Sequence, residues 1–403
     1  MPNVARVLID SPLPQLDRLF DYAIPDELDA VARPGVRVTM PLRSAGRMVE
    51  GWLVERGDAE PGDRPLSALE SVVSPVPLLP ASLYDLARRA ADRAAGSASD
   101  VLRLAIPRRM VRAEKAWLAA PPPAAPVVDE ASRDWAAGVL GAYPALTAGL
   151  DAGDRLAVDA SPRPAHDRPV GAWAELFAAI AVHALQRGRG AVLVVPDHRD
   201  LTQLLEALEA RVPEDAVVRD DAGRPAPERY RSYLRVRADV PCVVVGNRST
   251  VYAPAHDVSV VAVWDDGDPL LAEPLSPGVH ARDAALLRQE REGSALVFAG
   301  HTRTTDVERL VGLGWVREAP AARRESPRVV LPTTRDVETG GGRVSSAAFS
   351  AAREALAHGP VLVQVARPGY APVLVCASCR TPAHCPHCAG PLRARRPGVA
   401  PEC

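Results

Sequence analysis

Aromatic residues make up only 4% of the 403-residue chain, which leaves little for the ring platforms on which single-stranded nucleic acids stack. No uncharged apolar run is long enough to cross a bilayer, and no basic stretch leads into a hydrophobic core at the N-terminus, so a membrane bundle or a secretory signal is not expected. Nor is charge of one sign in excess: 48 Lys and Arg against 50 Asp and Glu give a net charge of −2. Any nucleic-acid binding must therefore come from local patches. The scarcest residue is lysine. Lys115, in Ala113-Glu-Lys-Ala-Trp117, is the only one, and it has no glycine-rich context. A GxxxxGK(S/T) loop needs a lysine to reach the β- and γ-phosphates, so Walker-type ATP chemistry is excluded. The chain also lacks GxSxG, HExxH and a His-x-Glu paired with Pro-Cys-x-x-Cys, the minimum residues of a serine hydrolase, a metalloprotease and a zinc deaminase. No residue is assigned a catalytic role, and the nine scattered histidines read as core or surface.

What is present is ordinary in bulk, with 47% hydrophobic and 24% charged residues, so a folded protein of several domains is expected. Residues 1–80 carry short alternating runs, Val4–Ile9, Val36–Met40 and Val49–Val54, separated by Pro, Gly and Asp, the pattern of antiparallel strands in a small barrel or sandwich. Residues 81–95 turn helical, with Ser82 placed as a cap, and Pro107 interrupts any continuation. Seven arginines between Arg88 and Arg112 face only Asp92 and Asp100, which fits a phosphate-facing strip or a solvated helix face. The Pro121–Pro126 stretch reads as a linker. Beyond Arg155, apolar strands near 156–159, 191–196, 242–246, 258–264 and 294–299 alternate with helices at 171–187, 199–211, 280–292 and 347–357. That alternation predicts a parallel sheet covered on both faces.

The densest chemical signal is C-terminal. Cys376-Ala-Ser-Cys379, Cys385-Pro-His-Cys388 and Cys403 hold five of the six cysteines. In a chain read as cytoplasmic these thiols stay reduced, and each CxxC turn aims two thiolates at one tetrahedral ion, so zinc is expected. Two closed sites need four ligands each, and five cysteines cannot supply them, so the ligand sets are incomplete and the chain reads as cut short. Cys242, in the run Pro241-Cys-Val-Val-Val245, is expected in the core.

Two weaker candidates remain. The apolar strand ending at Trp264 runs into Asp265, Asp266, Gly267 and Asp268, the place where nucleotide-dependent motors hold Mg²⁺ on a carboxylate. Its required partner, a phosphate loop after the first strand of the domain, instead carries Pro162, Pro164 and Pro169, which remove backbone donors. Asp265 and Asp266 thus read as a degenerate nucleotide and Mg²⁺ site. In the N-terminal region, Phe20, Asp21 and Tyr22 read as a clamp for the end of a nucleic-acid strand, rings stacking on the last base and the carboxylate accepting from a 3′-hydroxyl. On that reading a 3′-phosphate, facing Asp21, is rejected.

Taken in order, Val4 to Pro25, Pro34-Gly-Val-Arg-Val-Thr-Met-Pro-Leu42, Val245-Gly-Asn-Arg-Ser-Thr-Val-Tyr-Ala-Pro254, His280-Ala-Arg-Asp283 and Pro368 to Cys379 resemble the PriA (primosomal protein N′) family of replication-restart helicases. The resemblance implies an N-terminal 3′-end-binding domain, a winged helix, two RecA-like lobes and an inserted pair of zinc sites. It implies that Phe20, Asp21 and Tyr22 match the 3′-end pocket, that Cys376 and Cys379 match half of one zinc site, and that Cys385, Cys388 and Cys403 match three ligands of the other. The expected fold is α/β and multidomain: a β-rich N-terminal DNA-binding domain (1–113), a linker or reduced winged-helix region (114–154), a degenerate RecA-like lobe (155–305), the start of a second lobe (306–375) and incomplete zinc knuckles (376–403).

Departures from the family fall on the motor. The ATP loop is absent, the Asp-Glu-Glu-His box reads Asp265-Asp-Gly-Asp268, and the Ser-Ala-Thr-Pro segment reads Gly300-His-Thr-Arg-Thr304. In the end-binding pocket Arg43 stands where the family has glycine, and Glu70 aligns with a lysine. The resulting expectation is a replication-restart protein that binds forked DNA and single-stranded 3′ ends and helps reload the replicative helicase with its own motor inactive. It would bind Zn²⁺ but not ATP and Mg²⁺, and would work in the cytoplasm at the nucleoid with primosome and single-stranded-DNA-binding proteins. The alternatives are an active 3′-to-5′ helicase with an unorthodox nucleotide site, and a zinc-dependent assembly scaffold that does not touch DNA.

Overall fold

The computed structural model describes residues 3–58, 65–165, 168–323, 328–331, 345–364, 373–396 and 398–403. Part of the proline-rich loop (His166 and Asp167) and part of the Pro368–Cys379 motif (368–372) lie outside them. Two compact units divide the chain, Met1–Glu325 and Ser326–Cys403.

In the first unit, β1 (Val4–Ile9), β2 (Leu19–Ala23), β3 (Arg37–Leu42), β4 (Arg47–Gly57) and β5 (Ser71–Val72) form an antiparallel sheet in the order β2-β1-β4-β3-β5. A bridge between Ala23 and Ala68, with bonds from Ala23 N to Ser67 O and from Leu69 N to Ala23 O, brings the approach to β5 back against β2 and curls the sheet toward a barrel. Successive strand residues point to opposite faces. On β1, Ala5 and Val7 accordingly enter the barrel core with Tyr22, Val38, Met40 and Leu53. Their neighbour Leu8 joins Trp52 on the outer face, in the core with α1 (Ala81–Arg93) and α2 (Ala98–Ala105). The cap of α1 is Pro80 and not Ser82, because the helix already starts at Ala81; Ser97 caps α2 by accepting from Ser99 N.

Between α2 and the next sheet the chain is helical and carries no strand: α3 (Val111–Ala119), the Pro121–Pro126 stretch, α4 (Glu130–Gly141) and α5 (Pro144–Ala152). A seven-stranded parallel sheet follows, with β6 (Arg155–Asp159), β7 (Gly190–Val194), β8 (Val217–Asp220), β9 (Val243–Gly246), β10 (Val258–Trp264), β11 (Ala295–Gly300) and β12 (Arg317–Glu318) in the order β12-β6-β11-β10-β7-β9-β8. Helices α4 and α5, with α6 (Ala172–Leu185) and α7 (His198–Glu209), cover one face through Leu156, Leu193 and Ala262. Helices α1, α2, α8 (Ala226–Val236) and α9 (Ala281–Glu292), with Val307 of α10 (Thr305–Gly312), cover the other through Val192, Val261 and Phe298. The N-terminal helices and the parallel sheet therefore share one core.

A polar knot fastens that junction. Glu114 of α3, buried, takes two bonds of 2.6 and 3.0 Å from Arg109 and one from the Tyr230 hydroxyl of α8, while Tyr233 donates to Leu78 O at 2.7 Å. Burial works against the Glu114 charge, but the Arg109, Tyr230 and Ser74 hydrogen bonds outweigh it and hold the carboxyl below its ordinary value. A depressed carboxyl contributes stability above its unfolded pKa and loses it as pH falls through the folded one. Glu114→Gln is expected to cost about 1–3 kcal/mol at neutral pH. The gap between wild-type and variant urea midpoints should close on acidification below about pH 4; a gap independent of pH would show that the charge contributes nothing.

In the second unit, α11 (Ser346–Ala355) buries no residue, and the described C-terminal part is the cysteine-bearing segment.

Candidate nucleic-acid interface and metal centre

Strand period decides the N-terminal candidates. Phe20 and Tyr22 lie on the barrel side of β2, Phe20 half-buried against the core and Tyr22 within it. Asp21 points the other way, exposed, with Arg6 at 3.8 Å. Asp21 therefore leaves β2 on the face opposite the two rings, as alternation along a strand requires. Tyr22 donates to Pro41 O at 3.2 Å. Arg18, not singled out from the sequence, lies over Phe20 at 4.4 Å from its centroid, and Arg43, noted there as a departure from the family, acts electrostatically on the Tyr22 phenol, which burial pushes up. Asp17 is structural, accepting from Arg88, Ser97 and Ala98 N and so tying the approach to β2 onto α1 and α2. The arginine strip is half neutralised: Arg88, Arg89, Arg103 and Arg109 pair with Asp17, Asp85, Asp10 and Glu114. Among the described residues Arg93, Arg108 and Arg112 have no such partner.

The strand-end cleft of the parallel sheet is lined by Arg163, Trp173, Asp200, Trp264, Asp265 and His301. Trp173 stacks on Trp264 with centroids 4.4 Å apart and planes at 10°, and His301 meets Trp264 edge-on at 5.0 Å. Asp265 adopts a left-handed backbone at φ 46°, and burial beside Asp268 and Asp266 pushes its carboxyl up. Burial, with Asp197 and Asp265 nearby, raises Asp200 to about 6. Asp266 is buried and accepts through one oxygen, Oδ2, from Arg282 at 3.2 Å and from Thr304 Oγ1 at 2.8 Å. The Val245–Pro254 segment leaves the carboxyl end of β9 in the same sheet. A Cβ on Gly246 would lie 1.9 Å from Asp220 O, so only glycine lets β9 approach β8 there. Asn247 Nδ2 donates to Val195 O at 3.2 Å, at the end of β7.

At the C-terminus the two CxxC turns fold alike. Cys376 N bonds Thr381 O and Cys385 N bonds Gly390 O, while Arg380 and Ala389, each following a second cysteine, take φ values of 61° and 57°. A ladder through Leu374, Ala383 and Leu392 joins the turns, and the Arg393–Glu402 bridge carries Cys403 back to the second of them. The sulfurs of Cys385, Cys388 and Cys403 lie within 4.8 Å of one another, the metal-competent group among the described residues. Backbone N–H groups of His387 and Cys388 lower the Cys385 thiol to about 7, and Thr381 does the same for Cys379. Soft sulfur donors already biased toward thiolate fit an ion such as zinc. His384 places its Nδ1 2.9 Å from Ala389 O. Cys242 is fully buried, and burial raises its thiol to about 11.

The fold thus joins a small antiparallel barrel to a parallel α/β lobe and a cysteine cluster, and a family model described as 3'DNA-binding domain (3'BD) matches residues 6–107, from β1 past the end of α2. The chain is 40% identical over 394 residues to "Probable replication restart protein PriA" of Mycobacterium leprae, covering 94% of this chain and 59% of the relative. It is 40% identical over 393 residues to the protein of that name from Mycobacterium tuberculosis H37Rv, covering 58% of it. "Replication restart protein PriA" of Bacillus subtilis is 23% identical over 237 residues, 57% of this chain and 29% of the relative. The chain belongs to the PriA family and spans somewhat under three fifths of the length of these mycobacterial relatives.

Proposed function

We propose that this chain is a replication-restart protein that binds forked DNA and 3′ ends, helps reload the replicative helicase, and has no working motor of its own. The DNA half of the reading is supported by the 3' DNA-binding match over residues 6–107 and by the names of the relatives. The motor half is carried by one observation: the strand-end cleft, where a triphosphate would sit, is floored by a tryptophan stack and presents the Asp200 and Asp265 carboxylates with no lysine. Carboxylates of the same sign as the phosphates repel them, with Arg163 the one arginine in the lining, and Asp266 has one of its two oxygens engaged by Arg282 and Thr304. The cysteine turns would hold zinc and order a surface for primosome and single-stranded-DNA-binding proteins, in the cytoplasm at the nucleoid. No helix among the described residues is long and apolar enough to cross a membrane.

The test uses the full chain with zinc present. Fluorescence anisotropy on a labelled fork should report binding that weakens steeply with salt, as phosphate contacts require, and fork addition should stimulate no ATP hydrolysis. DNA-dependent turnover would restore the helicase reading. Absence of affinity at low salt would leave the metal-ordered scaffold.

A further inference from the structure

The strand-end cleft carries polar groups that nothing in the fold answers. Asp200, in the first turn of α7, and Asp265, just after β10, both line it, and neither has a cationic partner among the described residues. Other acids of the same unit do: Asp10, Asp17, Asp29, Glu114 and Glu273 each hold an arginine. Arg163, the one arginine in the lining, pairs with neither carboxylate. A donor beside them is also unspent. Trp173 of α6 is 4% exposed, yet its Nε1 finds no acceptor among the described residues and opens into the cleft, not into sealed core. A Cβ on Gly171, which shares the lining, would lie 2.6 Å from that nitrogen, so glycine there keeps the N–H edge uncovered. Stacking on Trp264 and an edge contact with Phe177 at 5.8 Å fix the ring in place. An N–H so placed costs free energy unless water or a ligand accepts from it.

These groups ask for a ligand with a cation and, close to it, a hydrogen-bond acceptor. A triphosphate meets the carboxylates with the wrong sign. A protonated polyamine supplies only donors and leaves the indole N–H unanswered. A nucleobase carries donors and acceptors but no charge for the two carboxylates. An arginine residue in a peptide has both requirements: a planar fork that serves two carboxylates, and a main-chain carbonyl that accepts from the indole. We propose that the cleft is a docking site for a basic peptide segment of a partner protein, with an arginine guanidinium on Asp200 and Asp265 and a main-chain carbonyl on the Trp173 N–H. His301 adds to the preference. Its Nδ1 lies 3.2 Å from Ala160 O, a carbonyl that only accepts, so in the neutral ring Nε2 stays an acceptor. The inference goes beyond the DNA reading, and from the proposed function it takes only that no triphosphate occupies the cleft.

The experiment follows the anisotropy of labelled acetyl-Gly-Arg-Gly-Arg-Gly-amide with the full chain and zinc present. A second peptide carries citrulline, which keeps the shape and loses the charge, in place of both arginines. The arginine peptide is expected to bind saturably, and the citrulline peptide roughly tenfold more weakly. Asp200→Asn, on a half-buried carboxylate, should weaken the arginine peptide about tenfold, and Asp265→Asn, on an exposed one, about threefold. Asparagine tolerates the left-handed backbone of Asp265, so that variant keeps the fold. Asp134→Asn, exposed on α4, controls for general attraction of a basic peptide and should change nothing. Neither spermidine nor ATP with magnesium should displace the peptide at equal concentration. Equal binding of the two peptides, or an affinity that neither cleft variant moves, overturns the site, and displacement by spermidine overturns a peptide as its occupant. Displacement by ATP overturns the site and the inactive-motor reading together. Fork binding is measured alongside, and its absence strikes the DNA reading alone while leaving the site standing.

Discussion

Changing Cys385 to serine is expected to release one equivalent of zinc and to disorder the segment around it. The described residues of the second unit bury almost nothing: α11 has no buried residue, and Cys385 is the one buried residue of the unit. With no apolar core among the described residues to order the two turns, the zinc reading makes the metal the source of the folding free energy, as in small metal-dependent domains. Structural zinc sites bind with about 10–16 kcal/mol over four ligands, so each thiolate carries about 3 kcal/mol, roughly a hundredfold in affinity. Serine cannot replace it, because its hydroxyl stays protonated at neutral pH. Metal analysis should show the loss in Cys385→Ser and full retention in Cys242→Ser, whose sulfur is enclosed in the first unit. The pH sense follows from the thiol. Backbone donors lower Cys385 to about 7, so protons compete with the metal below that pH and zinc affinity should fall on acidification. A chelator should expose residues 373–403 to protease while leaving the melting of the first unit unmoved. Zinc content undiminished in Cys385→Ser would refute the centre.

Buried parallel strands were legible because they are continuous apolar runs: β6, β7, β9, β10 and β11 stand within about two residues of where such runs end. Strand β8, Val-Val-Arg-Asp at 217–220, was not, since an edge strand of four residues with two charges carries no such run. Helix α8 was hidden behind Pro225 and Pro227, which signal a loop until one sees that they occupy its cap and first turn. The opposite facing of Phe20 and Asp21 was legible in principle, for strand alternation requires it. What no spacing rule could give is long-range pairing. Asp266 sits sixteen residues from Arg282 and thirty-eight from Thr304, and only the packing of α9 and the Thr304 turn against the strand end brings both partners to one of its carboxylate oxygens. The same holds for Asp17, whose partners lie on α1 and α2, and for the bridge that returns Cys403 to the second turn.

Arg288→Ala is expected to destabilise the first unit by about 3–5 kcal/mol, the range for breaking a buried charged group from its partners. Arg288 is among the largest fully buried side chains, 2% exposed on α9. Its Nη1 donates to Val251 O at 2.8 Å and Ala253 O at 2.9 Å, and its Nε to Glu292 at 2.8 Å. Truncation takes the arginine donor from both carbonyls, leaving Ala253 O with Ala255 N alone at 3.0 Å, and opens a cavity beneath them, and both effects add. Lysine would rescue only part, since one compact ammonium cannot hold the fork geometry that serves three acceptors. Urea unfolding should show the midpoint falling at constant slope. A change under about 0.5 kcal/mol, the size of an ordinary surface substitution, would mean that water satisfies the carbonyls in its place. Placement gives the result its wider meaning. The carbonyls belong to the Val245–Pro254 segment, whose Asn247 ties it to the end of β7 and whose Thr250 bonds Asp220 at the end of β8. Arg288 therefore clamps the carboxyl edge of three adjacent strands through one loop, and that loop holds the sheet end together whether or not a nucleotide ever occupies the strand-end cleft.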